Sequence, residues 1–219
     1  MPSKSVEPQE PLDNLLNIYL GSLDVSKMYE SSELEARFGT RGIKPITKID
    51  FDNVIQKLKA QGFTFKTANK YILRIQNEHV EVKTGQKRVS NIRTQIEGLT
   101  NIQNYCKTNL LPINDVTGKL HSWLSFEQKN NFKAGEEVVY PVNFDDFNFR
   151  VALNTETSWD VDTPLIQGIL SKWSATKKVF RYINRSSLTH PDYPFRIDLS
   201  IVKDTHRQGK YTIPEYTIQ

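Results

Sequence analysis

Glu33-Leu34-Glu35-Ala36-Arg37-Phe38 alternates charged and apolar side chains without a break. In a β-strand successive side chains point to opposite faces, so Glu33, Glu35 and Arg37 share one face while Leu34, Ala36 and Phe38 share the other. An ordinary half-buried antiparallel strand also has a polar face, but its residues are interchangeable and meet water. Here the polar face carries two carboxylates and a guanidinium in fixed alternation, and the pattern recurs downstream. Phe147, Phe149, Val151 and Leu153 oppose Asn148, Arg150, Ala152, Asn154 and Glu156. Phe195, Ile197, Leu199 and Ile201 oppose Arg196, Asp198 and Ser200. Arg181 and Arg185 fall together within 179–187, and Arg93 lies within 87–96.

Period-two segments at 33–38, 71–76, 79–83, 87–96, 123–132, 147–156, 179–187, 195–203 and 211–219 predict eight or nine strands. Amphipathic helices are predicted between them. One spans 10–20, where Leu12, Leu15, Leu16 and Tyr19 recur at helical spacing after Pro11. A second spans 51–62, with Thr47 and Asp50 as caps, Phe51, Val54, Ile55 and Leu58 as its stripe, and Gly62 as its end. A third covers 100–108, with Ile102, Tyr105 and Cys106 on one side, and Thr163-Pro164 starts a short fourth through Leu170. The chain is therefore mainly β (α+β) and antiparallel, with residues 1–8 a disordered lead-in and 9–219 one domain. Two arrangements remain open. If the polar faces turn toward one another, the sheet closes as a tunnel barrel with a charged interior and the helices packed outside. If they do not, the chain is a sandwich with solvated charged faces. A charged interior is stable when its charges pair, or when ions and an anionic ligand complete the pairing.

Composition bounds the rest. The 219 residues are 37% hydrophobic and 25% charged, with 29 Lys and Arg against 25 Asp and Glu, a net charge of +4. A domain of this size buries roughly 70% of its unfolded surface, enough to stand without disulfides or a structural metal. The single Cys106 excludes a disulfide framework and multi-cysteine metal motifs, and its place on an apolar helix side makes it a core residue. No apolar run of membrane-spanning length and no signal-peptide core are present, so an intracellular protein without membrane contact is expected. His79, His121, His190 and His206 lack ligand spacing and are expected in loops or at the surface. Trp123, Trp159 and Trp173 are assigned to packing rather than base stacking. No phosphate-binding Gly-rich loop, serine elbow or kinase signature occurs.

The acidic pair carries the chemistry. Glu33 and Glu35 project in parallel from backbone positions roughly 6.5 to 7 Å apart, and their carboxylates can converge on one hard cation. Magnesium or manganese takes six oxygen ligands and keeps waters and substrate phosphate oxygens in its shell. Arg and Lys from neighbouring strands would clamp further phosphate oxygens, Arg through two parallel hydrogen bonds.

Several blocks in order carry a family resemblance. Ser32-Glu-Leu-Glu-Ala-Arg-Phe-Gly-Thr40, followed by the helix at 51–62, resembles the opening of the metal-dependent RNA 5′-triphosphatase domain in mRNA capping enzymes of large DNA viruses, in the triphosphate tunnel metalloenzyme family. Arg88-Val-Ser-Asn-Ile-Arg-Thr-Gln-Ile96, Phe126-Glu-Gln-Lys129 and Phe149-Arg-Val-Ala-Leu-Asn-Thr-Glu156 resemble its next strands. Arg181-Tyr-Ile-Asn-Arg-Ser186 resembles its basic strand, and Phe195-Arg-Ile-Asp-Leu-Ser-Ile-Val-Lys203 its strand with an inward Asp. The resemblance implies the closed tunnel. It further implies that Glu33 and Glu35 bind Mg2+ or Mn2+, that Arg93, Lys129, Arg181 and Arg185 contact the triphosphate, and that Glu156 orients the attacking water. Asp198 would order the basic residues or a metal-bound water. Arg37, Arg150 and Arg196 fit the same lumen by alternation. The implied reaction removes the γ-phosphate from 5′-triphosphate RNA, with guanylyltransferase and methyltransferase domains in cis and host cytoplasm or a virion as the setting if the source is viral.

Two departures stand against the family pattern. Relatives often alternate three cations on the basic strand, where this chain has Ile183 in the middle. They also close the metal site with a second Glu-x-Glu strand, for which Glu215 is a poor substitute. The chain is therefore expected to be the leading piece of a larger capping enzyme, with a shortened, non-catalytic paralogue as the other reading. A tunnel phosphohydrolase acting on polyphosphate or a nucleoside triphosphate, and a non-catalytic binding protein of a virion or complex, are the competing functions.

Overall fold

The computed structural model describes residues 9–22, 30–39, 46–81, 83–114, 119–144, 149–205 and 215–218, with backbone alone at 9, 30 and 215–218. The expected lead-in at 1–8 lies outside them. In chain order the helices are α1 (Gln9–Ser22), α2 (Lys48–Ala60), α3 (Leu99–Thr108) and α4 (Pro164–Leu170). The strands are β1 (Glu30–Phe38), β2 (Thr64–Val80), β3 (Lys87–Val89), β4 (Ile92–Glu97), β5 (Leu124–Asn131) and β6 (Lys133–Ala134). They continue with β7 (Glu137–Val138), β8 (Val142–Phe144), β9 (Phe149–Ser158), β10 (Lys178–His190), β11 (Tyr193–Asp204) and β12 (Glu215–Ile218). The chain is mainly β, and its described strand pairs are antiparallel. It divides into two compact units. The smaller holds Met1–Pro45, Lys129–Thr157 and Gln219; the larger holds Ile46–Gln128 and Ser158–Ile218.

In the smaller unit β1 pairs with β9, and β9 with β8. The register sets Leu34 opposite Leu153, Ala36 opposite Val151 and Phe38 opposite Phe149, so the apolar halves of the two alternating segments form one surface. Helix α1 covers it. Leu15, Val151 and Leu153 are buried there, packed with Leu12, Ile18, Tyr19, Leu34 and Ala36, and the Phe38 and Phe149 rings lie 4.7 Å apart. Burial on this side leaves the charged side chains of β1 and β9 on the opposite face of the sheet.

In the larger unit the strands run in the order β12, β11, β10, β2, β4, β5, with β3 attached to β2. Leu73, Ile75, Ile92, Ile96, Leu124 and Phe126 pack against Ile102 and Tyr105 of α3, Ile166 of α4 and Trp173. Leu188 and Leu199 pack against Phe63 and α2, through Phe51, Val54, Ile55 and Leu58. Helix α2 starts on a capping box. The Thr47 hydroxyl accepts from the Asp50 backbone N–H at 3.1 Å, and the Asp50 carboxylate accepts from the Thr47 N–H at 3.1 Å. Thr47→Ala is expected to lower stability by about 1 kcal/mol, read as a shift of the urea midpoint at unchanged slope. A shift below a few tenths of a kcal/mol would mean the box is already satisfied by water.

All four predicted helices form, within one to three residues of their expected limits. The differences among strands are informative. Segment 71–76 and the first two residues of segment 79–83 belong to one strand of 17 residues, β2, which ends at Val80 with Glu81 and Lys83 outside it; the first half at 64–70 is exposed on both faces and so shows no alternation. Segment 87–96 is two strands, because the register against β2 shifts by two residues between Val89, opposite Glu78, and Thr94, opposite Ile75, although the Ser90 N–H still donates to the Asn77 carbonyl at 2.8 Å. Strands β6, β7 and β8 have two or three residues each, too few to show a period. Cys106 is exposed, not core: Ile102 and Tyr105 define the buried stripe of α3, and Cys106 lies on the far flank of Ile102 from Tyr105. His190 is not a surface histidine either. It extends the apolar face of β10 beyond Leu188 and packs between Phe63 and Tyr193, at ring distances of 5.1 and 4.9 Å. Gly62, at φ +90°, makes room for it, since a Cβ there would come within 2.8 Å of His190 Nε2. No described helix is long and apolar enough to cross a membrane.

Candidate functional site

In the smaller unit, β1 presents Glu33, Glu35 and Arg37 on the face away from α1. Lys129 Nζ lies 2.5 Å from Glu33 Oε2 and 2.5 Å from Glu35 Oε2. Arg37 NH2 lies 2.5 Å from the other oxygen of Glu35. The Glu35 and Lys129 side chains are 11% and 17% exposed and Glu33 is 38% exposed, so the contact between Glu35 and Lys129 is the less screened of the two. Both carboxylates thus reach one cation position, which an ammonium fills here. On β9 the same face carries Arg150, directly opposite Arg37, and Glu156, directly opposite Ser31. Directly opposed like charges repel, and the Nε atoms of both Arg37 and Arg150 are buried without a hydrogen-bond partner.

A hard divalent cation fits this donor set. Two carboxylate oxygens already converge on a single positive charge, and Mg2+ or Mn2+ is bound by one or two carboxylates, with waters and substrate oxygens completing the shell. Among the described residues no group of three or more His, Cys, Asp or Glu side chains is placed to hold a metal. The pair would therefore supply only part of a metal ion's six-oxygen shell.

In the larger unit the anchor is Asp198 on β11, 5% exposed. Its carboxylate accepts from Ser187 Oγ at 2.7 Å and from Arg196 Nε and NH2 at 2.8 and 3.0 Å. Arg185 NH1 lies 3.1 Å away, and Arg185 Nε donates to Ser200 Oγ at 3.1 Å. One buried anion thereby orients two guanidinium groups from adjacent strands. Further along β10, Arg181 lies opposite Asp204 in register, with NH1 at 4.0 Å from its carboxylate. On β4, Arg93 lies opposite Glu127 of β5. Ile183, between Arg181 and Arg185 on the same face of β10, is buried with Ile72 and Val202.

One residue of this surface was not singled out from the sequence. Arg74 of β2 lies directly opposite Arg181 on one side and Gln95 on the other, and its Nε donates to Gln95 Oε1 at 2.5 Å. Burial pushes its pKa down to about 10; Arg93, Arg185 and Arg181 push in the same direction, against a smaller pull from Glu127. The signal was present in segment 71–76, where Arg74 stands between Leu73 and Ile75 as Arg150 stands between Phe149 and Val151. Glu215 lies in β12, which pairs with β11; its side chain is outside the described residues.

No protein-family model matches the sequence, and no curated protein matches it significantly. Solved structures do. The structure of the S. pombe Pct1 RNA triphosphatase matches over 100% of this chain and 79% of its own, with 12% identity and a TM-score of 0.47. A triclinic structure of the Mimivirus capping enzyme triphosphatase matches over 94% of this chain and 85% of its own, with 17% identity and a TM-score of 0.56. At that identity the likeness is one of architecture: this chain has the fold of the Mimivirus capping enzyme triphosphatase.

Proposed function

We propose that the protein is a metal-dependent RNA 5′-triphosphatase of mRNA capping, which hydrolyses the γ-phosphate of 5′-triphosphate RNA. Water attacks the γ-phosphorus, the bond to the β–γ bridging oxygen breaks, and inorganic phosphate leaves a diphosphate end for guanylyl transfer. The observation that carries this reading is the convergence of Glu33 and Glu35 on one cation position, in a chain with the fold of a capping-enzyme triphosphatase. Glu33 and Glu35 would hold Mg2+ or Mn2+. When bound, such an ion neutralises phosphate oxygens and offsets the charge that develops in phosphoryl transfer.

The chain's own cations do the remaining work. Arg93, Arg181 and Arg185 hold triphosphate oxygens, Arg by paired N–H donors that fix orientation as well as charge. With the acidic pair committed to a divalent ion, Lys129, now held by Glu33 and Glu35, would be free to hold a phosphate oxygen. Arg37 and Arg150 lie directly opposite each other in register, and although Glu35 pairs with Arg37, a phosphate between the two guanidiniums would relieve their like-charge repulsion. Asp198 positions Arg185 and Arg196, and Glu156 orients the water. Partner domains for guanylyl and methyl transfer act in cis.

The test is release of labelled phosphate from γ-labelled triphosphate RNA with Mg2+ or Mn2+, scored with the RNA end group. Phosphate release that leaves a diphosphate end is expected. No release with either metal would overturn the proposal. Tripolyphosphate outcompeting short triphosphate RNA at equal concentration would move the activity to inorganic polyphosphate.

A further inference from the structure

We propose that Arg74 is a phosphate-binding residue of this site, supplying from β2 the cation that the polar face of β10 lacks at Ile183. The inference rests on the phosphate-site reading above. Along that face, Arg181 and Arg185 are separated by an apolar step, because Ile183 is buried with Ile72 and Val202. Arg74 stands two residues from Ile72 on β2 and directly opposite Arg181. It therefore brings a guanidinium beside the gap without disturbing the apolar cluster.

The arrangement is unfavourable by itself. A guanidinium taken from water needs a counter-charge, and like charges directly opposite in a sheet repel. Among the described residues Arg74 has the neutral amide of Gln95 as its hydrogen-bond partner, and no carboxylate forms an ion pair with it. Its electrostatic neighbours are mainly other arginines, Arg93, Arg185 and Arg181. A purely structural position would gain from a neutral side chain here. An anion bridging Arg74 and Arg181 removes the repulsion and uses the geometry: Gln95 holds Nε, which leaves NH1 and NH2 as a fork for two phosphate oxygens.

The test measures tripolyphosphate binding by calorimetry together with thermal unfolding of the ligand-free protein. Arg74→Gln keeps a partner for Gln95 and removes the charge. It is expected to bind tripolyphosphate about 10- to 100-fold more weakly while its ligand-free midpoint rises by about 2–4 °C. Arg74→Lys, which restores charge without the fork, is expected to fall between the two. Unchanged affinity in Arg74→Gln overturns the inference. So does a fall in its ligand-free midpoint, which would assign Arg74 to the scaffold. A wild-type protein that binds no tripolyphosphate would overturn the phosphate-site reading and this inference together, whereas wild-type binding with an indifferent Arg74→Gln overturns the inference alone.

Discussion

Alanine at Glu33 or at Glu35 is expected to cut metal-dependent γ-phosphate release by about 10³-fold, equivalent to about 4 kcal/mol of transition-state stabilisation. The magnitude follows from the thinness of the shell. If Glu33 and Glu35 are the two protein ligands of the ion, as proposed, removing either would halve the protein's share of its shell. The two variants are expected to differ in stability. Glu35 contacts Lys129 with one oxygen and Arg37 with the other, at 11% exposure, so Glu35→Ala leaves two cations facing a lost anion. Glu33, at 38% exposure, pairs with Lys129 alone among the described residues, and water can take its place. Glu33→Ala is thus expected to lose activity with little loss of stability, while Glu35→Ala loses both. Phosphate release as a function of metal concentration, set beside urea unfolding, separates the two effects. Full activity in both variants would remove the metal assignment.

Asp198→Ala is the second large effect, a loss of about 3 kcal/mol or more in folding free energy. Removing one member of a buried, hydrogen-bonded ion pair typically costs 3–5 kcal/mol, because the remaining charge stays desolvated. Here the carboxylate accepts from Ser187 and Arg196 and lies 3.1 Å from Arg185. Arg185 dominates the cost, since its side chain is 18% exposed while that of Arg196 is 54% exposed and can turn to solvent. Asp198→Asn keeps the shape and an acceptor oxygen and is expected to cost less in stability. Because Arg185 loses its ionic tether in either variant, both are expected to raise KM for triphosphate RNA. A loss under about 1 kcal/mol in Asp198→Ala would show that Arg185 is held by its other contacts.

Much of this surface was legible in the residues. The alternation in 33–38, 147–156 and 195–203 assigned each side chain to a face, and the apolar faces do pack against α1 and α2. Thr47, Gly62 and Pro164 marked helix limits because capping and left-handed backbone are local chemistry. Arg74 does not stand out in the sequence, because segment 71–76 holds it as one arginine among mostly apolar neighbours, without the repeated charges of 33–38 or 195–203. Cys106 and His190 were misplaced for a different reason. Each lies at the margin of an apolar stripe, where a small rotation or one more packing partner decides burial.

What the sequence determined alone is which side chains share a face, since the two-residue period of a strand and the 3.6-residue period of a helix are properties of the backbone. It also placed four helices, to within three residues of their limits. Partnership was decided by the tertiary structure. That Lys129 sits between Glu33 and Glu35, that Asp198 takes both Arg185 and Arg196, and that Arg74 meets Arg181 depend on strand order and register. Register is set by the sum of packing on the apolar side, which no single charged residue encodes.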